Sequence, residues 1–145
     1  MNEYQTLSQT KWECKYPVVV IPKYRRKVLY GQLRQYLGEV FRELARQKES
    51  RSEAGHLQAD HVHLRLSIPP KYAVAQVVGY LKGKSAIPIA RTYGGRQQHF
   101  VGEHCWARGY FVTTGGHDEE AVRRYIRAQE AEERRLEQLE LFKKK

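Results

Sequence analysis

Asp60-His61-Val62-His63-Leu64-Arg65-Leu66-Ser67-Ile68, closed by Pro69-Pro70, is the stretch that decides the fold. Apolar Val62, Leu64 and Leu66 alternate with His61, His63 and Arg65, the period of a strand with one buried face. The two prolines end it, since proline cannot donate to a ladder and restrains the residue before it. Upstream, His56 to Ile68 accommodates one or two strands, and Ser50 to Gly55 is polar and turn-like. Before that turn, Leu33, Leu37, Val40, Phe41 and Leu44 recur at spacings of three and four, which predicts an amphipathic helix from Leu29 to Gln47 despite Gly38. Trp12 to Pro22 is β-branched and aromatic and reads as a first strand, whose exit is the basic run Lys23-Tyr24-Arg25-Arg26-Lys27.

Downstream, Val74, Val77, Val78 and Leu81 give helical spacing to residues 72 to 91, with Gly83 and Pro88 expected to shorten or break the run. After the turn signal Tyr93-Gly94-Gly95-Arg96, Gly109-Tyr110-Phe111-Val112-Thr113 reads as a last strand, ended by Gly115-Gly116. Asp118, followed by Glu119 and Glu120, is an N-cap with an acidic first turn for a helix to about Leu139. The order strand, helix, strand, strand, helix, strand, helix predicts an α+β chain: a ferredoxin-like or RNA-recognition-type antiparallel sheet with helices on one face, plus a C-terminal helix. Residues 1–145 are expected to form a single domain.

Composition narrows the partners. The 145 residues hold 26 Lys and Arg against 16 Asp and Glu, a formal charge of +10 that points to a polyanion. Residues 130 to 145 are neutral overall, with five Glu against two Arg and three Lys, so all of the excess lies upstream. Cys14 and Cys105 stand alone and far apart, matching neither a zinc module nor a secreted disulfide framework, so a reduced, cytoplasmic protein is expected. The longest apolar stretch, Val18 to Ile21, is too short to cross a bilayer, and no membrane partner is expected.

His61 and His63 leave one face of their strand about 7 Å apart at the backbone, close enough to ligate one cation. The plain alternative is a histidine capping a turn and another packed in a half-exposed strand. Two other phosphoryl-transfer patterns fit poorly: a histidine triad would need histidine where Arg65 stands, and a two-histidine phosphoesterase would need a second His-x-Ser/Thr copy. Tyr125 and Gln129 sit four apart on the last helix and so share a face. A phenol oxygen is a competent nucleophile toward phosphorus, and an amide oxygen is a hard ligand that could complete a His, His, Gln site. The plain alternative here is a helix edge beside Val122 and Ile126.

Four ordered segments spanning nearly the whole chain resemble the single-tyrosine HUH transposases of the insertion-sequence 200/605 type. They are residues 22–29 (Pro-Lys-Tyr-Arg-Arg-Lys-Val-Leu); Asp60-His61-Val62-His63 with Ile68-Pro69-Pro70-Lys71-Tyr72; residues 78–85 (Val-Gly-Tyr-Leu-Lys-Gly-Lys-Ser); and residues 106–112 (Trp-Ala-Arg-Gly-Tyr-Phe-Val) leading to Tyr125 and Gln129. Pro17 departs from the family, whose members usually carry histidine there, and this puts the regularity of the first strand in question. The resemblance implies that Tyr125 attacks single-stranded DNA to form a 5′-phosphotyrosine link and release a 3′-hydroxyl. It also implies a divalent ion, magnesium or manganese, on His61, His63 and Gln129. Exchange of one phosphodiester for another needs no ATP, in keeping with a chain that lacks a phosphate-loop motif.

The resemblance further implies hairpin-ended DNA as substrate and a homodimer whose active sites combine the histidines of one subunit with the tyrosine helix of the other. Gly115-Gly116 is a candidate hinge for such an exchange, or only a strand-ending turn. For DNA contact the expected cations are Lys23, Arg25, Arg26 and Lys27 with Tyr24 interleaved, plus Lys82, Lys84, Arg91, Arg96 and Arg108. Trp106 or Tyr110 is expected to stack on bases. The competing readings are a non-catalytic, domesticated hairpin-binding module and a hydrolytic metallonuclease.

Overall fold

The central sheet of the computed structural model, which describes residues 5–7, 10–22, 32–57, 61–93, 106–114 and 118–143, is built around the histidine strand. The first described strands are β1 (Gln5–Leu7) and β2 (Thr10–Trp12), an antiparallel pair that joins no other strand among the described residues. Then follow β3 (Lys15–Val20), α1 (Gln32–Gln47), β4 (Arg51–Leu57), β5 (Val62–Ser67), α2 (Val74–Tyr93), β6 (Phe111–Val112) and α3 (Glu119–Lys143). The four-stranded sheet has the order β4-β5-β3-β6, antiparallel throughout. This is the ferredoxin-like arrangement expected from the element order.

Alternation along β3 and β5 sorts side chains to two faces. Val18 and Val20 join Val62, Leu64 and Leu66 in the main core, beneath Leu37, Phe41 and Ala45 of α1 and Val77, Val78 and Leu81 of α2. Val19 and Ile21 point the other way and meet Ala107 with Val122 and Ile126 of α3. Thus α1 and α2 cover one face and α3 covers the opposite one. Its first turn is well specified, since Asp118 Oδ1 accepts from the amides of Glu120 and Ala121, each at 3.1 Å, a cap worth about 1 kcal/mol.

Several expectations require correction. The stretch from Ser50 to Gly55 is not a turn: β4 starts at Arg51 and pairs Arg51 with Ser67 and Glu53 with Arg65. It is an edge strand, whose outer side faces water, so polar residues suit it. The turn lies earlier, where Glu49 takes a φ of 52° and the amides of Glu49 and Ser50 bond the carbonyls of Arg46 and Ala45, the double closure of a helix C-terminus. The expected strand from Trp12 to Pro22 is two strands, split at Glu13 and Cys14. The α2 helix runs through Gly83 and Pro88 to Tyr93: proline removes one backbone bond, while packing of Leu81 and Ala86 holds the helix on the sheet. Pro17 leaves β3 unbroken. Its carbonyl accepts from Thr113 at 3.2 Å, so its missing donor faces the end of the short strand β6 and not the long β5 ladder.

Candidate active site

Val62 and Leu64 anchor β5 in the main core at 0% and 6% exposure, and that anchoring turns His61 and His63 to the opposite face. Both histidines are half-buried, and their ring centroids lie 5.1 Å apart at 68°. Across the sheet, His63 pairs with Val19 of β3, and Val19 pairs with Phe111 of β6. Phe111 carries the ring of Tyr125 at 5.7 Å between centroids. The histidine pair and the tyrosine therefore belong to one face of one sheet, with His63 and Phe111 two strand spacings apart, roughly 10 Å.

Tyr125 and Gln129 are held from below by the segment that enters β6. The Gln129 amide nitrogen donates to the Tyr125 hydroxyl at 3.1 Å and to the Arg108 carbonyl at 3.3 Å. Gly109 takes a φ of 77°, and a Cβ there would stand 3.6 Å from the Tyr125 hydroxyl and 3.7 Å from the Gln129 amide nitrogen. Burial pushes the Tyr125 phenol above its ordinary value, while the Gln129 N–H pulls it part of the way back.

Both of these bonds use the Gln129 nitrogen, so its oxygen is the atom that could serve as a ligand. Two neighbouring imidazoles, and a hard amide oxygen on the helix that covers the same face, are donors of the kinds that could hold a divalent ion. Among the described residues no group of three or more His, Cys, Asp or Glu offers a fuller set.

The expected DNA contacts divide three ways. Lys23, Tyr24, Arg25, Arg26, Lys27 and Arg96 lie outside the described residues, as do the candidate hinge Gly115-Gly116 and the side chain of Arg91 in α2. Arg108 and Lys84 are exposed, the Lys84 ammonium lying 6.0 Å from the Tyr80 ring centroid on the helical side, and Tyr110 is half-buried against the main core. Trp106 is corrected from a stacking surface to a core residue. It is 6% exposed, packs on Phe41 at 5.8 Å, and donates its indole N–H to Ser85 Oγ at 2.9 Å. Lys82 also differs from expectation: its half-buried ammonium donates to the carbonyls of Ala107 at 2.7 Å and Gly109 at 2.8 Å.

Phe111 beneath the tyrosine, Val19 between the two halves, and the left-handed Gly109 were not singled out from the sequence. Gly109, expected to begin the last strand, lies before it, since β6 comprises only Phe111 and Val112 and Gly109 takes a positive φ.

The family model described as Transposase IS200 like matches residues 10–129, which hold every one of these groups. The chain belongs to the IS200-like transposase family. It is 38% identical over 141 residues to the transposase for insertion sequence element IS200 of Salmonella typhimurium, covering 97% of this chain and 93% of that protein. It is also 29% identical over 123 residues to the ISDra2 transposase TnpA of Deinococcus radiodurans, covering 84% of this chain and 88% of that one.

Among solved structures, a proposed transposase from Deinococcus radiodurans R1 superposes with a TM-score of 0.75 at 27% identity, over 86% of this chain and 97% of that chain. A REP-associated tyrosine transposase bound to a REP hairpin superposes with a TM-score of 0.50 at 13% identity, over 87% of this chain and 68% of that one, a likeness of fold. The IS200-like transposase is thus an α+β chain with a four-stranded antiparallel sheet. No helix among its described residues is long and apolar enough to cross a membrane.

Proposed function

We propose that this transposase cuts and rejoins single-stranded DNA by transesterification, with Tyr125 as nucleophile. The observation that carries the reading is the placement of Tyr125 on the face of the sheet that bears His61 and His63, with its hydroxyl held by Gln129. In the cleavage step the phenol oxygen bonds to phosphorus as the phenol gives up its proton to solvent. The bond from phosphorus to the 3′-oxygen breaks, and that oxygen leaves as a hydroxyl after taking a proton. A 5′-phosphotyrosine link results, and attack by a 3′-hydroxyl reverses the exchange and joins strands without ATP. Phe111 and the Gln129 side chain fix the ring and hydroxyl of Tyr125, which removes rotational freedom before the attack. A magnesium or manganese ion on His61, His63 and the Gln129 oxygen would supply Lewis-acid polarisation of the scissile phosphate.

The likeness to a transposase bound to a REP hairpin makes hairpin-ended DNA the substrate form to try first. The formal charge of +10 supports a nucleic-acid partner. A homodimer belongs to the same proposal. Leu136, Leu139, Leu141 and Phe142 on the outer part of α3 are 45–75% exposed, apolar surface that a second copy could cover.

The test is incubation of the protein with a labelled single-stranded element end and magnesium, followed by a denaturing gel. A covalent adduct is expected from the native chain and none from Tyr125→Phe. His61→Ala and His63→Ala are expected to lose the adduct while keeping hairpin affinity within a few-fold. Hairpin binding without an adduct would mark a non-catalytic module, and cleaved DNA free of protein would mark a hydrolytic nuclease.

A further inference from the structure

Three consecutive carbonyls, those of Ala107, Arg108 and Gly109, are taken up by two side chains from different helices. Lys82 of α2 reaches the first and third, at 2.7 and 2.8 Å, and Gln129 of α3 reaches the middle one at 3.3 Å. The same Gln129 nitrogen holds the Tyr125 hydroxyl. The segment that lies between these two helices has little regular structure of its own, since β6 begins only at Phe111 and Gly109 sits in the left-handed region. It needs an outside support to keep a carbonyl aimed at Gln129, and an ammonium with donors to spare can bond two carbonyls at once. Trp106, just before, is fixed separately by its bond to Ser85, one turn along α2 from Lys82.

We propose that Lys82 is a positioning residue for Tyr125: by clamping the carbonyls of Ala107 and Gly109 it keeps the Arg108 carbonyl in place for Gln129, and so keeps the phenol where it attacks. The inference rests on the reading of Tyr125 as nucleophile. It assigns the Lys82 charge to the protein backbone and not to a DNA phosphate. Desolvation, which holds the ammonium below its ordinary value, accords with a cation facing carbonyls inside the fold.

The two roles separate by measurement. A phosphate contact contributes to affinity and to its salt dependence, and its removal lowers the slope of log affinity against log salt by about 1. A positioning residue acts on the rate of the bound complex, where a displacement of about 1 Å can cost roughly 100-fold. The experiment uses a labelled single-stranded hairpin oligonucleotide ending in the element boundary, with magnesium, at saturating protein. Single-turnover adduct formation is followed for the native chain, Lys82→Met, Lys82→Gln and Lys82→Arg, alongside hairpin affinity from low to high salt.

Lys82→Met is expected to form adduct about 10- to 100-fold more slowly, with affinity within about threefold of native and an unchanged salt slope. Lys82→Arg, which keeps charge and several donors, is expected to recover most of the rate, and Lys82→Gln, with one carbonyl still reachable, part of it. Should Lys82→Met not fold, the ranking of Arg above Gln at equal affinity decides. A native adduct rate in the variants, or a loss of affinity with a slope lowered by about 1, overturns the assignment. If the native chain forms no adduct at all, the reading of Tyr125 fails first, and Lys82 has no nucleophile to position.

Discussion

The Gln129 amide nitrogen donates to the Tyr125 hydroxyl across 3.1 Å, one helical turn away, while the Tyr125 ring leans on Phe111. Spacing of four on α3 makes the contact available, and the Arg108 carbonyl completes it by fixing the rotamer of the amide.

That bond carries a pH dependence. Burial raises the phenol and the Gln129 N–H lowers it, so Gln129→Glu, which replaces a donor by an anionic acceptor while keeping an oxygen ligand, should raise the phenol further. The alkaline rise of adduct formation should then move to higher pH than in the native chain, as read from single-turnover rates. The sign for stability follows from the same shift. An acid whose folded value is raised stabilises the fold in full below its ordinary value of about 10 and loses that contribution as pH climbs through the folded value. Thermal denaturation of the native chain should therefore fall more steeply above that pH than that of Tyr125→Phe. Parallel curves would show that burial of the phenol is not linked to folding.

Gly109→Ala isolates the backbone beneath the tyrosine. The added Cβ would meet only ordinary contacts at 3.6 and 3.7 Å, so the penalty comes from a φ of 77°. Left-handed backbone costs an alanine roughly 1–2 kcal/mol, which for a chain of this size lowers the melting temperature by several degrees. Differential scanning calorimetry checks the figure, and an unchanged melting temperature would place Gly109 in a conformation that alanine tolerates.

Trp106→Phe tests the correction of its role. The variant leaves Ser85 Oγ without its indole donor and opens space beside Phe41. The loss should be about 1–3 kcal/mol of stability, read from urea unfolding, with hairpin affinity changed less than about twofold. A tenfold weaker complex in a chain of native stability would return the ring to the DNA surface.

Much of the architecture is legible along the chain because it rests on periodicity. Leu37 and Phe41 mark the buried stripe of α1, Val62, Leu64 and Leu66 the buried side of β5, and Asp118 the start of α3, each by spacing or by a local hydrogen bond. Legibility ends where a long-range partner overrides a local preference. Ser52 and Glu53 look like a turn until β5 supplies a ladder for them, and Pro88 looks like a helix end until packing of α2 on the sheet outweighs one missing bond. Lys82 and Trp106 look like DNA contacts because charge and aromaticity are visible in a string of letters, whereas the carbonyls and the hydroxyl that engage them come from residues distant in sequence or from folded backbone.

The sequence by itself determined the periodic elements and the candidate reactive groups: the histidines on one strand face, the tyrosine and glutamine on one helix face, and the family to which their order belongs. Only the tertiary structure decided that these two faces share one side of the sheet, through Val19 paired to both His63 and Phe111, and that Lys82 turns inward to the backbone. Period and spacing are properties of a single element, fixed by bond geometry. Which elements lie together depends on register and packing between distant segments, and these exist only once the chain has folded.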